Sequence, residues 1–415
     1  MPKSRIATPL NGRAQRGMFL LGPAFVAAIA YVDPGNVAAN LTGGAKFGYL
    51  LVWVLVAANL MAALVQYQSA KLGLVTGHTL PQLLGQRLRK TPRRLFWAQA
   101  ELVAVATDLA EVIGGAIALH LLFGIPLFTG GLIVGTISMV LLALQTRYGQ
   151  RPFEFVIVGL LAIIAVGFLA GLFVSPPDGG AVIGGLVPRF DGTESVLLAA
   201  GMLGATVMPH AIYVHSALAR DRHGKAQSAD DRRRLLRATR WDVIAALSIA
   251  GLVNIGMLLL AAVNLRDVAG TDTIEGAHAA IEGALGPAIA LVFAIGLLAS
   301  GLASTAVGSY AGATIMEGLL SWRIPIFVRR VVTMIPALII LGLGVSPTWA
   351  LVISQVFLSF GIPFALVPLL RLTNDRRVMG EAVNRPLVSW ALGAVVLLVI
   401  ALNVALIVLT VGGTA

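Results

Sequence analysis

The sequence predicts an all-α polytopic membrane protein of eleven transmembrane helices, arranged as two inverted sets of five plus one further helix. Three observations lead there. Apolar runs recur along the whole chain, each long enough to cross a bilayer. Basic residues fall on alternate gaps between these runs. Two of the runs, five apart in order, are interrupted near their centres by polar residues and proline.

Composition sets the class. Of 415 residues, 58% are hydrophobic and 12% are charged, far outside the range of a soluble globular domain. Runs of roughly 20 apolar residues match a hydrocarbon core of about 30 Å. The expected spans are approximately 18–42, 48–72, 95–122, 125–146, 153–175 and 195–219, then 241–264, 286–315, 329–346, 348–370 and 387–411. Cysteine is absent, which excludes disulfides, thiolate metal sites and a cysteine nucleophile. The remaining loops are short, and the longest polar one, 219–240, reads as a basic cytoplasmic loop.

A net charge of +11 would suit a nucleic-acid partner if it were clustered on a soluble face. Its distribution says otherwise. Of 30 lysines and arginines, 27 fall on the N-terminal tail and the even-numbered gaps, leaving Lys46, Arg189 and Arg266 on the other side. That asymmetry is the positive-inside pattern. It predicts a cytoplasmic N-terminus, an extracytoplasmic C-terminus and no nucleic-acid partner. Arginine outnumbers lysine 25 to 5, which suggests a GC-rich bacterial genome and therefore an inner membrane. The basic tail ahead of the first run imitates a signal peptide, but the run is too long and no small-x-small cleavage site follows it.

The first span reads "AIAYVDPGNVAAN". A carboxylate at this depth costs about 2.5–3.5 kcal/mol even on an insertion scale, and Pro34 and Gly35 interrupt the helix beside it. Span two carries Asn59 and Gln66, residue types that commonly bond a neighbouring helix. Span three, "QAELVAVATDLAEVIGG", holds Glu101, Asp108 and Glu111. At about 100° per residue these three fall within roughly an 80° arc. Such a stack cannot be fully ionised in a low dielectric, and chains of this kind mark proton relays. Arg330, entering span nine in "FVRRVVTMIP", is the expected counter-ion.

Span six, "LLAAGMLGATVMPHAIYVHSAL", repeats the irregularity of span one at Met208, Pro209 and His210. Five helices per set make the second set inverted, and paired broken helices in inverted repeats point to a midplane binding site. Irregular backbone at that depth must be buried in protein or line a cavity. His210 and His215 follow the break, and histidine's ordinary titration near neutrality suits a proton carrier or a structural hydrogen bond. Gln355, in span ten, is a further candidate oxygen ligand.

The breaks predict a ligand set. Unwinding frees the carbonyls of Ala30 and Ala205, to which Asp33 adds a carboxylate, Asn36 an amide oxygen and Met208 a thioether. Magnesium and calcium prefer oxygen alone, whereas a soft sulfur favours transition metals. A sodium-coupled amino-acid transporter is the rival reading, but it has no need of the methionine. No HExxH motif or recognisable catalytic serine appears, so an enzyme is not expected.

"DPGN" in span one, "MPH" in span six and the "TDLAE" acids of span three together resemble the natural resistance-associated macrophage protein (Nramp) family of divalent metal transporters. The likeness runs over essentially all eleven spans. The resemblance implies a leucine-transporter fold, with one inverted repeat over about 18–175, a second over about 195–370 and an added helix over about 387–411. It implies proton-coupled uptake of Mn2+ and Fe2+, with passage of Cd2+, by a monomer without a prosthetic group. Asp33, Asn36 and Met208 match the family's metal ligands, and Ala30 and Ala205 its carbonyl donors. Asp108, Glu111 and Arg330 match its proton pathway, with Asp33 as first acceptor and Glu101 and His210 as further members of the polar network. The core motifs show no departure from the family pattern.

Overall fold

A computed structural model describes residues 22–411, apart from positions 272 and 323. Residues 18–21 of the first expected span and the basic tail carrying Lys3, Arg5, Arg13 and Arg16 lie outside the described residues.

Helices occupy most of the described part of each expected range. The first comes in two pieces, α1 (Pro23–Ala28) and α2 (Pro34–Phe47), separated by a 3-10 turn over Ile29–Val32 and an extended Asp33. Then follow α3 (Val52–Thr76), α4 (Leu80–Arg87), α5 (Lys90–Phe123), α6 (Leu127–Tyr148), α7 (Gln150–Val174) and the short α8 (Gly179–Gly184). A second interrupted pair is α9 (Gly192–Thr206) and α10 (Pro209–His223), with Val207 and Met208 non-helical between them. The rest are α11 (Ala229–Asn264), α12 (Ile274–Leu285), α13 (Pro287–Leu320), α14 (Ile326–Gly342), α15 (Pro347–Asn374), the one-turn α16 (Arg376–Met379) and α17 (Pro386–Val411). Proline opens α1, α2, α10 and α13 at or near the first helical position, where its missing N–H costs nothing.

Among the described residues, eight helices are long and apolar enough to cross a membrane, taking α9 and α10 together. Pro23–Val32 and Leu127–Ala143 are shorter apolar segments. The chain is a multi-pass membrane protein on that evidence of length and composition.

The basic stretch 219–240 departs from the expected loop. It is helical on both sides of a short connection, because α10 continues to His223 and α11 starts at Ala229. Ser228 caps α11 by accepting a hydrogen bond from the Asp231 N–H at 3.1 Å, and Asp230 and Asp231 sit in its first turn. Carboxylates there complement the helix dipole. Four further gaps also hold helices, α4, α8, α12 and α16. In α4, Thr79 and Gln82 form a reciprocal capping box, and α12 is capped by Thr273. An apolar run marks where a helix meets lipid, and it says nothing of polar helices outside.

The largest apolar cluster is built around the first break. Ile29, Ala30, Tyr31 and Val32 are fully or almost fully buried among residues of α5, α7, α11 and α13. Carbonyls released by the break are satisfied from neighbouring helices: Asn254 donates to Tyr31 O at 2.7 Å and Ser300 to Val32 O at 2.5 Å. Asn40, in α2, in turn donates to Asn254 Oδ1 at 2.8 Å. Asp242 of α11 clasps the start of α1 by accepting from the Gly22 and Ala24 N–H groups at 3.0 and 2.9 Å. The break therefore sits on a polar scaffold in which neighbouring helices satisfy the Tyr31 and Val32 carbonyls.

Gly114 lets α5 approach that break. A Cβ there would stand 2.1 Å from the Pro34 Cβ. Replacing Gly114 by valine should lower stability by about 1–3 kcal/mol, the usual cost of overpacking. Thermal unfolding of the purified protein checks this, with Gly393→Ala as the control, since nothing lies within 4 Å of a Cβ at that position.

Candidate metal centre

Two prolines define the centre. In a continuous α-helix the Pro34 nitrogen would bond the Ala30 carbonyl, and the Pro209 nitrogen would bond the Ala205 carbonyl. Proline has no N–H to give, so each alanine oxygen loses its helical donor at the same offset from its break. The backbone responds by leaving helical geometry at Asp33 (φ −69, ψ 167) and at Met208 (φ −77, ψ 127).

One side chain joins the two breaks. Asn36 Nδ2 donates to Asp33 Oδ1 at 2.9 Å and to Ala205 O, across 169 residues, also at 2.9 Å. Asp33 Oδ1 also accepts from the Asn36 backbone N–H at 2.8 Å, which makes it the N-cap of α2. Asp33, Asn36, Ala205, Met208 and Ala30 are all at most 1% exposed. Met208 belongs to the same apolar cluster as Ala30.

Gln355 comes to the same place from α15. A Cβ on Gly35 would lie 1.7 Å from Gln355 Nε2, so glycine is what allows the amide to rest against the Asp33–Asn36 corner. Asp33 Oδ2, Asn36 Oδ1 and both polar atoms of Gln355 are buried without a hydrogen-bond partner. Such atoms typically cost about 1–3 kcal/mol each, and four around one corner fit a ligand supplied from outside the chain. Among the described residues no group of three His, Cys, Asp or Glu is placed to hold a metal. The groups brought together here are instead the Asp33 carboxylate, the Asn36 and Gln355 amides and the Ala205 carbonyl, with Met208 and Ala30 buried in one apolar cluster.

The acids of α5 form a separate line. Asp108 pairs with Arg330 of α14 at 3.0 Å, both essentially inaccessible, and Arg330 Nε also donates to Ser138 Oγ at 3.0 Å. Glu101, two turns earlier, pairs with Arg329 at 2.7 Å. Glu111 is fully buried against Gly308 of α13. His210 stands at the first turn of α10, with Nδ1 3.3 Å from Thr107 Oγ1, the neighbour of Asp108. The structure thus joins the second break to the acidic helix through His210 and Thr107. His215 is engaged differently, with Nδ1 2.7 Å from Gln66 Oε1, while Gln66 Nε2 reaches the Tyr31 hydroxyl at 2.5 Å.

Sequence reasoning did not find Asn254, Ser300 or Arg329. The first two serve carbonyls that become available only at the break. Arg329 was concealed by its neighbour: adjacent helical residues point about 100° apart, and the "RR" pair serves two acids rather than one. The Lys46–Glu194 ion pair was also unforeseen. It ties α2 to α9 at the rim of a cavity of about 330 Å³ whose walls include Thr42, Gly201 and Leu351 and whose floor includes Gly35 and Gln355.

A family model described as natural resistance-associated macrophage protein-like matches residues 24–409. The chain is 62% identical over 395 residues to the divalent metal cation transporter MntH of Mycobacterium tuberculosis (strain H37Rv), covering 95% of this chain and 92% of the relative. The crystal structure of the Eremococcus coleocola manganese transporter in complex with an aromatic bis-isothiourea substituted compound aligns with a TM-score of 0.87 at 32% identity. It covers 97% of this chain and 89% of that one. The inward-facing conformation of Mhp1 aligns with a TM-score of 0.57 at 18% identity, over 94% of this chain and 89% of that one, which is a likeness of fold alone.

Replacing Arg330 by methionine should destabilise the chain by about 3–5 kcal/mol, because Asp108 would keep a buried charge without its partner. Adding Asp108→Asn should recover most of that loss. Thermal unfolding midpoints of the two variants make the comparison.

Proposed function

Because the chain belongs to the Nramp family, we propose that it is a proton-coupled importer of Mn2+ and Fe2+ working by alternating access. Relatives that match nearly the whole chain carry the name of divalent metal cation or manganese transporters. The observation that carries the reading to this chain is the double hydrogen bond of Asn36. An amide NH2 group, its hydrogens partly positive, lies between a carboxylate and a carbonyl, each buried in a different broken helix. A cation entering there takes the place of that N–H group. Turning the amide over would then present Asn36 Oδ1 beside Asp33, Ala205, Ala30 and the Met208 sulfur.

One carboxylate leaves a divalent ion under-neutralised, which suits a site that must also release its cargo. The thioether supplies selection against Mg2+ and Ca2+ and favours Mn2+, Fe2+ and the surrogate Cd2+. Gln355 is a further oxygen donor within the corner. We read Asp33 as both ligand and first proton acceptor. Protons then move by way of His210 and Thr107 to Asp108, with Glu111 and the two arginine pairs setting the local charge, and Glu101 lies further along α5. The metal leaves by another route.

The finer architecture belongs to the same proposal. Eleven spans cross an inner membrane with the N-terminus cytoplasmic and the C-terminus outside. Repeats of about 18–175 and 195–370 are inverted on one another, and 387–411 is added. On this reading the cavity under Lys46 and Glu194 faces outward and ends at Gly35 and Gln355. The opposite end of α1 is pinned by Asp242. Inward opening then requires α1 to leave Asp242 while α2 and α9 close over the site. The chain works as a monomer.

Proteoliposomes containing an internal pH dye test substrate and coupling together. Asp33→Ala should abolish Mn2+ uptake, and normal uptake by that variant would overturn the site. Asp108→Asn should reduce proton entry several-fold more than metal entry, whereas equal loss of both would contradict a separate proton route.

A further inference from the structure

A second candidate binding site lies at the end of the bundle remote from Lys46 and Glu194. The last turns of α3, the first turns of α11 and the segment leading into α17 enclose a cavity of about 840 Å³. Its walls carry Lys71, Arg232, Arg233, Arg237, Arg240 and Arg385 against one acid, Glu381. Glu381 is already engaged by Arg232 at 2.5 Å, and Arg233 has only a solvent-exposed contact with Asp230 at 4.0 Å. Lys71, Arg237, Arg240 and Arg385 have no carboxylate partner among the described residues.

Topogenic signals account for basic residues on this side, but not for this arrangement. A positive-inside signal needs charge in exposed loops. Lys71 is only 7% exposed, and its Nζ donates to a neutral amide, Asn384 Oδ1, at 2.7 Å. A cation so enclosed is costly without a counter-charge. Arg240 is braced by the Tyr67 ring, 5.7 Å from its guanidinium carbon to the centroid, which leaves its hydrogen-bonding fork free for an anion.

The surface just beyond the cavity identifies the kind of anion. On α11 the basic face runs directly into Trp241 and Ile244, and Arg385, just before α17, is followed by Leu387 and Trp390 on that helix. All four apolar residues are exposed, Leu387 at 80% and Trp390 at 79%. Tryptophan at this level is the mark of the headgroup region. A soluble phosphate would use the basic hollow and ignore the apolar wall, whereas a phospholipid uses both.

We propose that this cavity binds an anionic phospholipid of the cytoplasmic leaflet, its phosphate held by Lys71, Arg237 and Arg240 and its acyl chains lying along Ile244, Leu387 and Trp390. Basic pockets between transmembrane helices take anionic headgroups elsewhere by the same chemistry.

Native mass spectrometry of the full-length protein in mild detergent, titrated with phosphatidylglycerol, phosphatidylcholine or inorganic phosphate, tests this. Phosphatidylglycerol should be retained in preference to phosphatidylcholine. The double variant R237Q/R240Q should weaken its retention about 10-fold or more. The control R89Q/R94Q, which removes two exposed arginines from α5 and its approach, should leave retention unchanged. Equal retention of the two lipids, equal loss in both double variants, or displacement by inorganic phosphate at the lipid's own concentration would each overturn the proposal.

Discussion

A missing N–H at two positions is the constraint on which the structure turns. Pro34 and Pro209 each withhold a hydrogen bond from an alanine carbonyl four residues back, in the interior of a membrane protein where water offers little replacement. The amide of Asn36 answers part of that deficit, donating to Ala205 O and to Asp33 Oδ1 at once. The two interruptions thereby become one place. Without that amide, each break would be a separate weakness in its own helix.

The surrounding polar residues divide into those that stabilise the break and those that respond to charge. Asn254, Ser300 and Asn40 belong to the first group and hold the carbonyls just past Ala30 in place. The α5 acids and the Arg329–Arg330 pair belong to the second. Glu101 and Asp108 are seven residues apart, about 10.5 Å along the helix, and consecutive arginines reach both because their side chains diverge. His210 instead links the second break to the acidic helix, since it opens α10 and its Nδ1 lies 3.3 Å from Thr107 Oγ1, beside Asp108.

Much of this was legible in the sequence because proline, glycine and buried carboxylates are loud signals in an apolar run. "DPGN" and "MPH" fixed where the chain departs from helix, and the spacing of Glu101, Asp108 and Glu111 fixed their shared face. What stayed hidden is of two kinds. Asn254 and Ser300 lie more than 220 residues from the carbonyls they serve, and a lone asparagine or serine in an apolar helix has no local pattern to reveal its partner. The helices within 219–240 were hidden for another reason, since an apolar run reports contact with lipid and these segments leave it. The basic cavity formed by α3, α11 and the segment before α17 had the same origin, as its residues are scattered over more than 300 positions.

The central claim is that a transition metal sits between the two breaks with one sulfur among oxygen ligands. X-ray absorption at the cadmium edge, on protein loaded with one equivalent of Cd2+, reads that shell directly. The account predicts a single sulfur scatterer alongside oxygens, lost when Met208 is replaced by alanine. An oxygen-only shell in the unaltered protein, or a sulfur signal that survives the replacement, would contradict it.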